Sequence, residues 1–338
     1  MKRRLLNIFI VIASSVILIV LTFSASGLYE MLNFFRSIDY SWIAGGFLCM
    51  FLYWCTDALV IQTVMAALFE KRTLMSFLKV TMVGQFFNSI TPFASGGQPA
   101  QVYAMQKMGI SGGHAASALI VKSITYQMTV FVYTFISYIF KGNLFVQKVN
   151  NFSALFFAGL LTNLLVVLLY GLFVYKRSAA EKLISVCLKI VSRTKIIRSP
   201  DKLRRKLNIE LERFSDGTAA LRNKFDLLIR MFTLQLIQLT FLFAIPYLIR
   251  LATEPGYINI GDMIVAQSFI TMISSFVPLP GSIGGAEGIS YVFFGIFFSK
   301  NILLQVILIW RSITYYSNII IGGVVSLTAS RKLVKTAH

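Results

Sequence analysis

The sequence predicts an all-α integral membrane protein, with about six full transmembrane helices plus two re-entrant broken-helix hairpins arranged as an inverted repeat. Three observations carry this prediction. Of 338 residues, 57% are hydrophobic and only 13% charged, too little polar surface for a water-soluble domain. Six apolar runs are each about 20 residues or longer, enough to cross a hydrocarbon core of about 30 Å at about 1.5 Å per residue. A proline–glycine–glycine pattern occurs twice, in two regions that are apolar at one limb and broken in the middle.

The first run, Leu5–Ser26, follows Lys2, Arg3 and Arg4. Its apolar stretch from Leu5 to Phe23 exceeds the h-region of a signal peptide and reads as a retained first span. The loop Gly27–Tyr40, with Glu30, Arg36 and Asp39, is balanced in charge and fits the outside. The second run, Ser41–Leu68, ends at Lys71 and Arg72. Ala115–Phe140, Phe152–Tyr175, Phe225–Ile249 and Ile302–Leu327 complete the six, and Arg331, Lys332 and Lys335 close the chain. The linker Lys176–Lys224 holds fourteen basic against five acidic residues, and its segment NIELERFSDGTAAL reads either as a short amphipathic helix on the inner leaflet or as a solvated loop.

Cytoplasmic loops carry the excess of lysine and arginine, so both termini and the basic linker are expected inside. Leu74–Gly113 then starts and ends inside, whereas Ile260–Ser299 starts and ends outside. Each is therefore read as a hairpin, and the two enter from opposite faces. The whole chain is one polytopic domain: first span 5–26, repeat 1 over 41–140, connecting span 152–175, linker 176–224 and repeat 2 over 225–327.

A shift of 188 residues carries Pro92, Gly96, Gly97 and Tyr103 onto Pro280, Gly284, Gly285 and Tyr291. Composition alone gives the Pro-x-x-x-Gly-Gly part about 0.03 times in such a chain, so a second copy marks an internal repeat. A span, a broken hairpin and a span, repeated in opposite orientation, is the plan of many secondary transporters. There the loosened backbone is tolerated because it lines a polar cavity or is buried in protein.

Charges inside apolar runs are costly and point to function. Asp57, Lys122, Glu287 and Arg311 are such charges. Lysine and arginine suit a phosphate, and a carboxylate suits an ammonium group. Two alternatives stand beside that reading: Lys122 and Arg311 either face a cavity or snorkel to an interface, and Asp57 either meets a ligand or pairs with one of the cations. The first hairpin offers Gln85, Asn88, Gln98 and Gln101, neutral groups for a head group or for backbone freed by the turn. Pro92, Gly96, Gly97, Pro280, Gly284 and Gly285 shape the two turns.

No catalytic residue, metal site or cofactor is expected. Cys49, Cys55 and Cys187 show no CxxC spacing, the only histidines are His114 and His338, and no Gly-rich GK[ST] loop or nucleophile elbow occurs. The net charge of +19 is read as attraction to an anionic inner leaflet, with membrane phospholipids as partners and no nucleic acid.

TPFASGGQPAQVYAM, PLPGSIGGAEG and WRSITYYSNIIIGG together resemble the lysylphosphatidylglycerol synthase membrane-domain family, also described as flippase-like integral membrane proteins. The resemblance runs over roughly residues 5 to 330. It implies movement of an aminoacylated phosphatidylglycerol between leaflets. Full-length members add a cytoplasmic aminoacyltransferase domain that takes lysine from charged tRNA, and with the sequence ending at His338 that domain is expected to be absent. The first hairpin of the family often has Glu and Arg where this chain has Gln98 and Gln101, a departure that touches which lipid is handled. Glu287 and Arg311 match the usual pattern.

The expected function is a flippase-like lipid translocase of the bacterial cell membrane. One alternative is a phosphatidylglycerol lysyltransferase conferring resistance to cationic antimicrobial peptides, the label that short relatives often carry. Another is a non-transporting partner of a separate lipid-modifying enzyme, and a homo-oligomer is compatible with all three.

Overall fold

The structure, a computed structural model, describes residues 29–68, 72–175, 200–222, 224–254, 256–275, 277 and 279–335. The first apolar run Leu5–Ser26, Cys187, Lys71 and residues 176–199 of the basic linker lie outside the described residues. Among the described residues the chain is helical without strands. The helices are α1 (29–37), α2 (Tyr40–Ala67), α3 (Leu74–Ile90), α4 (Gly97–Lys107), α5 (Gly112–Lys148), α6 (Phe152–Tyr175), α7 (Pro200–Arg222), α8 (Phe225–Thr253), α9 (Ile260–Ser274), α10 (Gly285–Phe294), α11 (Leu303–Arg311) and α12 (Ser317–Lys335).

Among the described residues, four stretches are long and apolar enough to cross a membrane: Tyr40–Ala67, Gly112–Lys148, Phe152–Leu172 and Phe225–Thr253. The 28 residues of α2 reach about 42 Å. Its start is fixed by Asp39, whose carboxylate accepts from the Ser41 backbone N–H at 3.0 Å and thereby satisfies one of the helix's orphan donors. Ser111 does the same for α5, accepting from the His114 N–H at 3.2 Å. On α6, Leu161, Leu164, Leu165, Leu168 and Leu169 are exposed, a leucine surface that water does not favour and acyl chains do.

By contrast α3, α4, α9 and α10 have 17, 11, 15 and 10 residues, so the longest reaches only about 26 Å, short of the hydrocarbon thickness of about 30 Å. They join in pairs through tight turns, Pro92–Ala94 between α3 and α4 and Pro280–Ser282 between α9 and α10. Phe93 and Ala94 both have φ 52°, and Gly281 and Ser282 have φ 58° and 53°. Pairs of left-handed residues are rare outside glycine, yet these two pairs stand 188 positions apart, in the register of the sequence repeat. The two turns touch each other.

Among the described residues, two large apolar cores hold this arrangement. An aromatic core fastens the second hairpin: Phe269 of α9 lies 5.1 Å from Phe145 of α5 and 4.9 Å from Phe152 of α6, and Phe293 of α10 lies 5.6 Å from Phe145. Ring pairs at these separations add to simple area burial. The second core, with Val64, Met65, Phe77, Met105, Leu119 and Met231, binds the first hairpin to α2, α5 and α8. Small residues permit the closest crossings: a Cβ on Gly322 of α12 would stand 2.6 Å from the Met82 carbonyl oxygen of α3, so these two backbones nearly touch.

The run Ile302–Leu327 is not one regular helix. After Arg311 the helix widens into a π turn, Ser312–Tyr316, before α12 resumes. Such turns displace side chains from the regular 3.6-residue register and often sit at functional sites.

The basic linker ends in α7, which docks on the foot of α5. The Glu210 carboxylate accepts from the Gly113 N–H at 2.6 Å, and a Cβ on Gly113 would meet the Glu210 carbonyl oxygen at 2.3 Å.

Candidate functional site

The four charges singled out within apolar runs fall into two ion pairs, each closed by further donors. Asp57 on α2 is 4% exposed, and the Lys122 ammonium on α5 lies 2.6 Å from its Oδ1. Thr81 on α3 donates to Asp57 Oδ2 at 2.9 Å and Gln238 on α8 donates to Oδ1 at 3.0 Å. Four helices thus converge on one carboxylate. Lys122 does not snorkel.

The second pair joins Glu287 on α10 to Arg311 on α11, with Nε 2.8 Å from Oε1. The Nε–H direction does not run along this contact, so the bond is an ion pair more than an aligned hydrogen bond. The other Glu287 oxygen accepts from the Gly284 N–H at 2.7 Å, closing the first turn of α10. Arg311 donates through Nη1 to the Gly281 carbonyl at 3.2 Å and lies 5.2 Å and 5.0 Å from the ring centroids of Trp310 and Tyr315. Its Nη2 is buried and has no hydrogen-bond partner among the described residues.

Beside this second pair lies a polar cavity of about 160 Å³. Gln85 reaches it from the first hairpin. Gln267, Thr271 and Ser274 line it from α9, Gly281 and Ser282 from the second turn, and Trp310, Arg311 and Thr314 from the last span. Among its described lining residues Arg311 alone carries a charge. Trp310 Nε1 and Gln267 Oε1 are, like Arg311 Nη2, buried without a partner. Buried polar atoms are nearly always paired, so three orphans around one cavity mark a place for a ligand or ordered water.

The turns are built for close approach. Thr91 Oγ1 accepts from the Gly96 N–H at 2.8 Å, and side chains on Gly97 and Gly285 would overlap Asn88 and Val277. Tyr315 wedges between the two hairpins: its ring fills the space a Gly281 side chain would need, and its hydroxyl donates to the Ser89 carbonyl at 3.1 Å.

Of the sequence-selected residues, Gln85, Arg311 and Glu287 gather at or beside the cavity. Asp57 and Lys122 form the separate buried cluster. Gln98 turns toward α5 and α6, donating to Ser123 Oγ at 2.7 Å and to the Tyr170 hydroxyl at 3.3 Å. Gln101 packs on Gly84, and Asn88 packs on Gly97. Gln267, Thr271, Ser274 and Trp310 also line the cavity, neutral residues of the second half, where the sequence points only to charges. The signal was present: positions 267, 271 and 274 repeat at helical spacing and give α9 one polar stripe. Among the described residues no group of histidines, cysteines and carboxylates could hold a metal.

A "UPF0104 membrane protein" of Archaeoglobus fulgidus is 27% identical over 282 residues, covering 82% of this chain and 83% of the relative. The sequence model of the family described as "Lysylphosphatidylglycerol synthase TM region" matches residues 6–322. With short paired helices, apolar spans and a match over nearly its whole length, the chain is a multi-pass membrane protein and belongs to the lysylphosphatidylglycerol synthase TM-region family.

Proposed function

We propose that the protein is a flippase-like lipid translocase of the cell membrane, in which a phospholipid head group passes through the polar cavity while the acyl tails stay in lipid. The observation that carries this reading is Arg311: a cation 5% exposed, beside a polar cavity whose described lining residues hold no other charge. A buried arginine with an unpaired donor is costly unless something binds there.

The repeated left-handed turns support an inverted repeat of two broken hairpins, set among about six spans, with both termini cytoplasmic. In this arrangement Arg311 and Gln85 contact the head group from opposite halves. Glu287 holds Arg311 in place, and the Asp57–Lys122 pair keeps the first half assembled. Gln98 and Gln101 support the first hairpin.

The test is a leaflet-resolved assay in liposomes. Protein-dependent movement of a head-group lipid from the inner to the outer leaflet is expected. It should be lost in the double variant Arg311→Gln with Glu287→Gln, which removes the pair without leaving a lone buried charge. Movement no faster than in protein-free liposomes overturns the proposal.

A further inference from the structure

We infer that the cavity selects a head group bearing a phosphate anion and no ammonium group, an inference that takes its lipid context from the translocase reading. It departs from the aminoacylated, cationic head group that the family resemblance implies. A cationic head group beside Arg311 calls for negative charge within the cavity, and neither nearby carboxylate lines it; each is held by its own cation. Glu287 has one oxygen on Arg311 and the other on the Gly284 N–H. Asp57 accepts from Lys122, Thr81 and Gln238 and does not line the cavity.

Donors, in contrast, are left over. Arg311 Nη2 and Trp310 Nε1 are both buried and unpaired, on consecutive residues whose side chains line the same cavity. Indole and guanidinium nitrogens only donate, so neither can serve an ammonium, whereas a phosphate oxygen accepts from both. Gln267 serves either kind of neighbour. Its Nε2 donates to Thr271 Oγ1 at 3.2 Å and its Oε1 is free. With the amide turned over and the threonine hydroxyl donating instead, it presents its N–H₂. It can therefore hold a phosphate oxygen or the hydroxyl of a glycerol head group. An ammonium in this cavity would meet the guanidinium of Arg311, while Glu287 sits on its Nε and does not itself line the cavity, so the repulsion is only partly offset.

The experiment measures binding apart from transport. Purified protein is presented with phosphatidylglycerol, lysylphosphatidylglycerol, phosphatidylethanolamine, diacylglycerol and soluble glycerol 3-phosphate, and bound species are quantified by native mass spectrometry. Phosphatidylglycerol is expected to bind at least about tenfold more tightly than lysylphosphatidylglycerol, the difference that about 1.4 kcal/mol produces, with phosphatidylethanolamine between them and diacylglycerol not retained. Trp310→Phe, which keeps the ring and removes one donor, should weaken phosphatidylglycerol about tenfold. The double variant Arg311→Gln with Glu287→Gln should erase the preference for the anionic lipid, while Gly171→Ala, at a position with open space around it, should leave it intact.

Equal or tighter binding of lysylphosphatidylglycerol overturns the inference, as does a preference that survives the double variant. Competition by glycerol 3-phosphate at the same concentration as the lipid supports the phosphate chemistry and overturns its lipid source. Selective binding without movement in liposomes leaves this inference standing and removes the translocase reading. Movement without any head-group preference does the reverse.

Discussion

Substituting Asp57 by asparagine leaves the shape of the buried cluster nearly unchanged and removes its negative charge. At the 2.6 Å separation of Lys122 Nζ and Asp57 Oδ1, the Coulomb attraction is about 6 kcal/mol at an effective dielectric of about 20. Desolvating two ions costs several kcal/mol each, so the pair as a whole stands near balance, and the cost of breaking it falls on the partner left behind. The Lys122 ammonium has no other partner among the described residues, so Asp57→Asn should destabilise by about 3 to 5 kcal/mol. Lys122→Met is milder. Asp57 then keeps the Thr81 and Gln238 donors at 2.9 Å and 3.0 Å, which should reduce the loss by about 1 to 3 kcal/mol. Replacing both, Asp57→Asn with Lys122→Met, removes both charges while keeping an acceptor for the Thr81 and Gln238 donors, and should recover most of the native stability. Unfolding by sodium dodecyl sulfate titration in mixed micelles measures all three. The electrostatic account is refuted if Asp57→Asn unfolds like the native protein, or if the double variant is no more stable than Asp57→Asn alone.

Three further outcomes follow from the packing. Gly113→Ala places a Cβ 2.3 Å from the Glu210 carbonyl oxygen, which moves only with its helix; tryptic cleavage after Arg213 should rise several-fold, and an unchanged digest would show that α7 is not held there. Gly285→Ala puts a methyl 2.2 Å from Val277 Cγ2 and should cost about 1 to 3 kcal/mol by overpacking. Adding Val277→Ala should return part of that loss in the same micelle titration, and a strictly additive double variant would refute the contact. Tyr315→Phe removes the hydrogen bond to the Ser89 carbonyl and should cost about 1 to 2 kcal/mol, read the same way, with hydrogen exchange rising at both turns.

The broken elements were legible because their cause is local. A close helix start needs glycine, so Pro92, Gly96 and Gly97 mark the first turn and Pro280, Gly284 and Gly285 the second, whereas the left-handed pair Phe93–Ala94 is not written in its residue types. The partners of the buried charges were not legible: Asp57 and Lys122 are 65 residues apart, and only the packing of α2 against α5 chooses between Lys122 and Arg311 as the partner. The cavity was half legible. Arg311 announces itself by charge, but Gln267 and Trp310 matter through what they lack, a hydrogen-bond partner, and no sequence pattern records an unmade bond. The π turn after Arg311 was hidden as well, because SITYY carries no glycine or proline to disclose a change of helical pitch.

The contact between the two turns has a mechanical consequence. Phe93 and Ala94 abut the Gly281–Ser282 turn, with the Tyr315 ring lodged against Gly281 and its hydroxyl tethered to Ser89. Neither tip can shift alone: a push on one is transmitted to the other as through a strut, and the strained backbone leaves little slack to absorb it. A displacement of Arg311, which donates to the Gly281 carbonyl, would therefore load both turns at once.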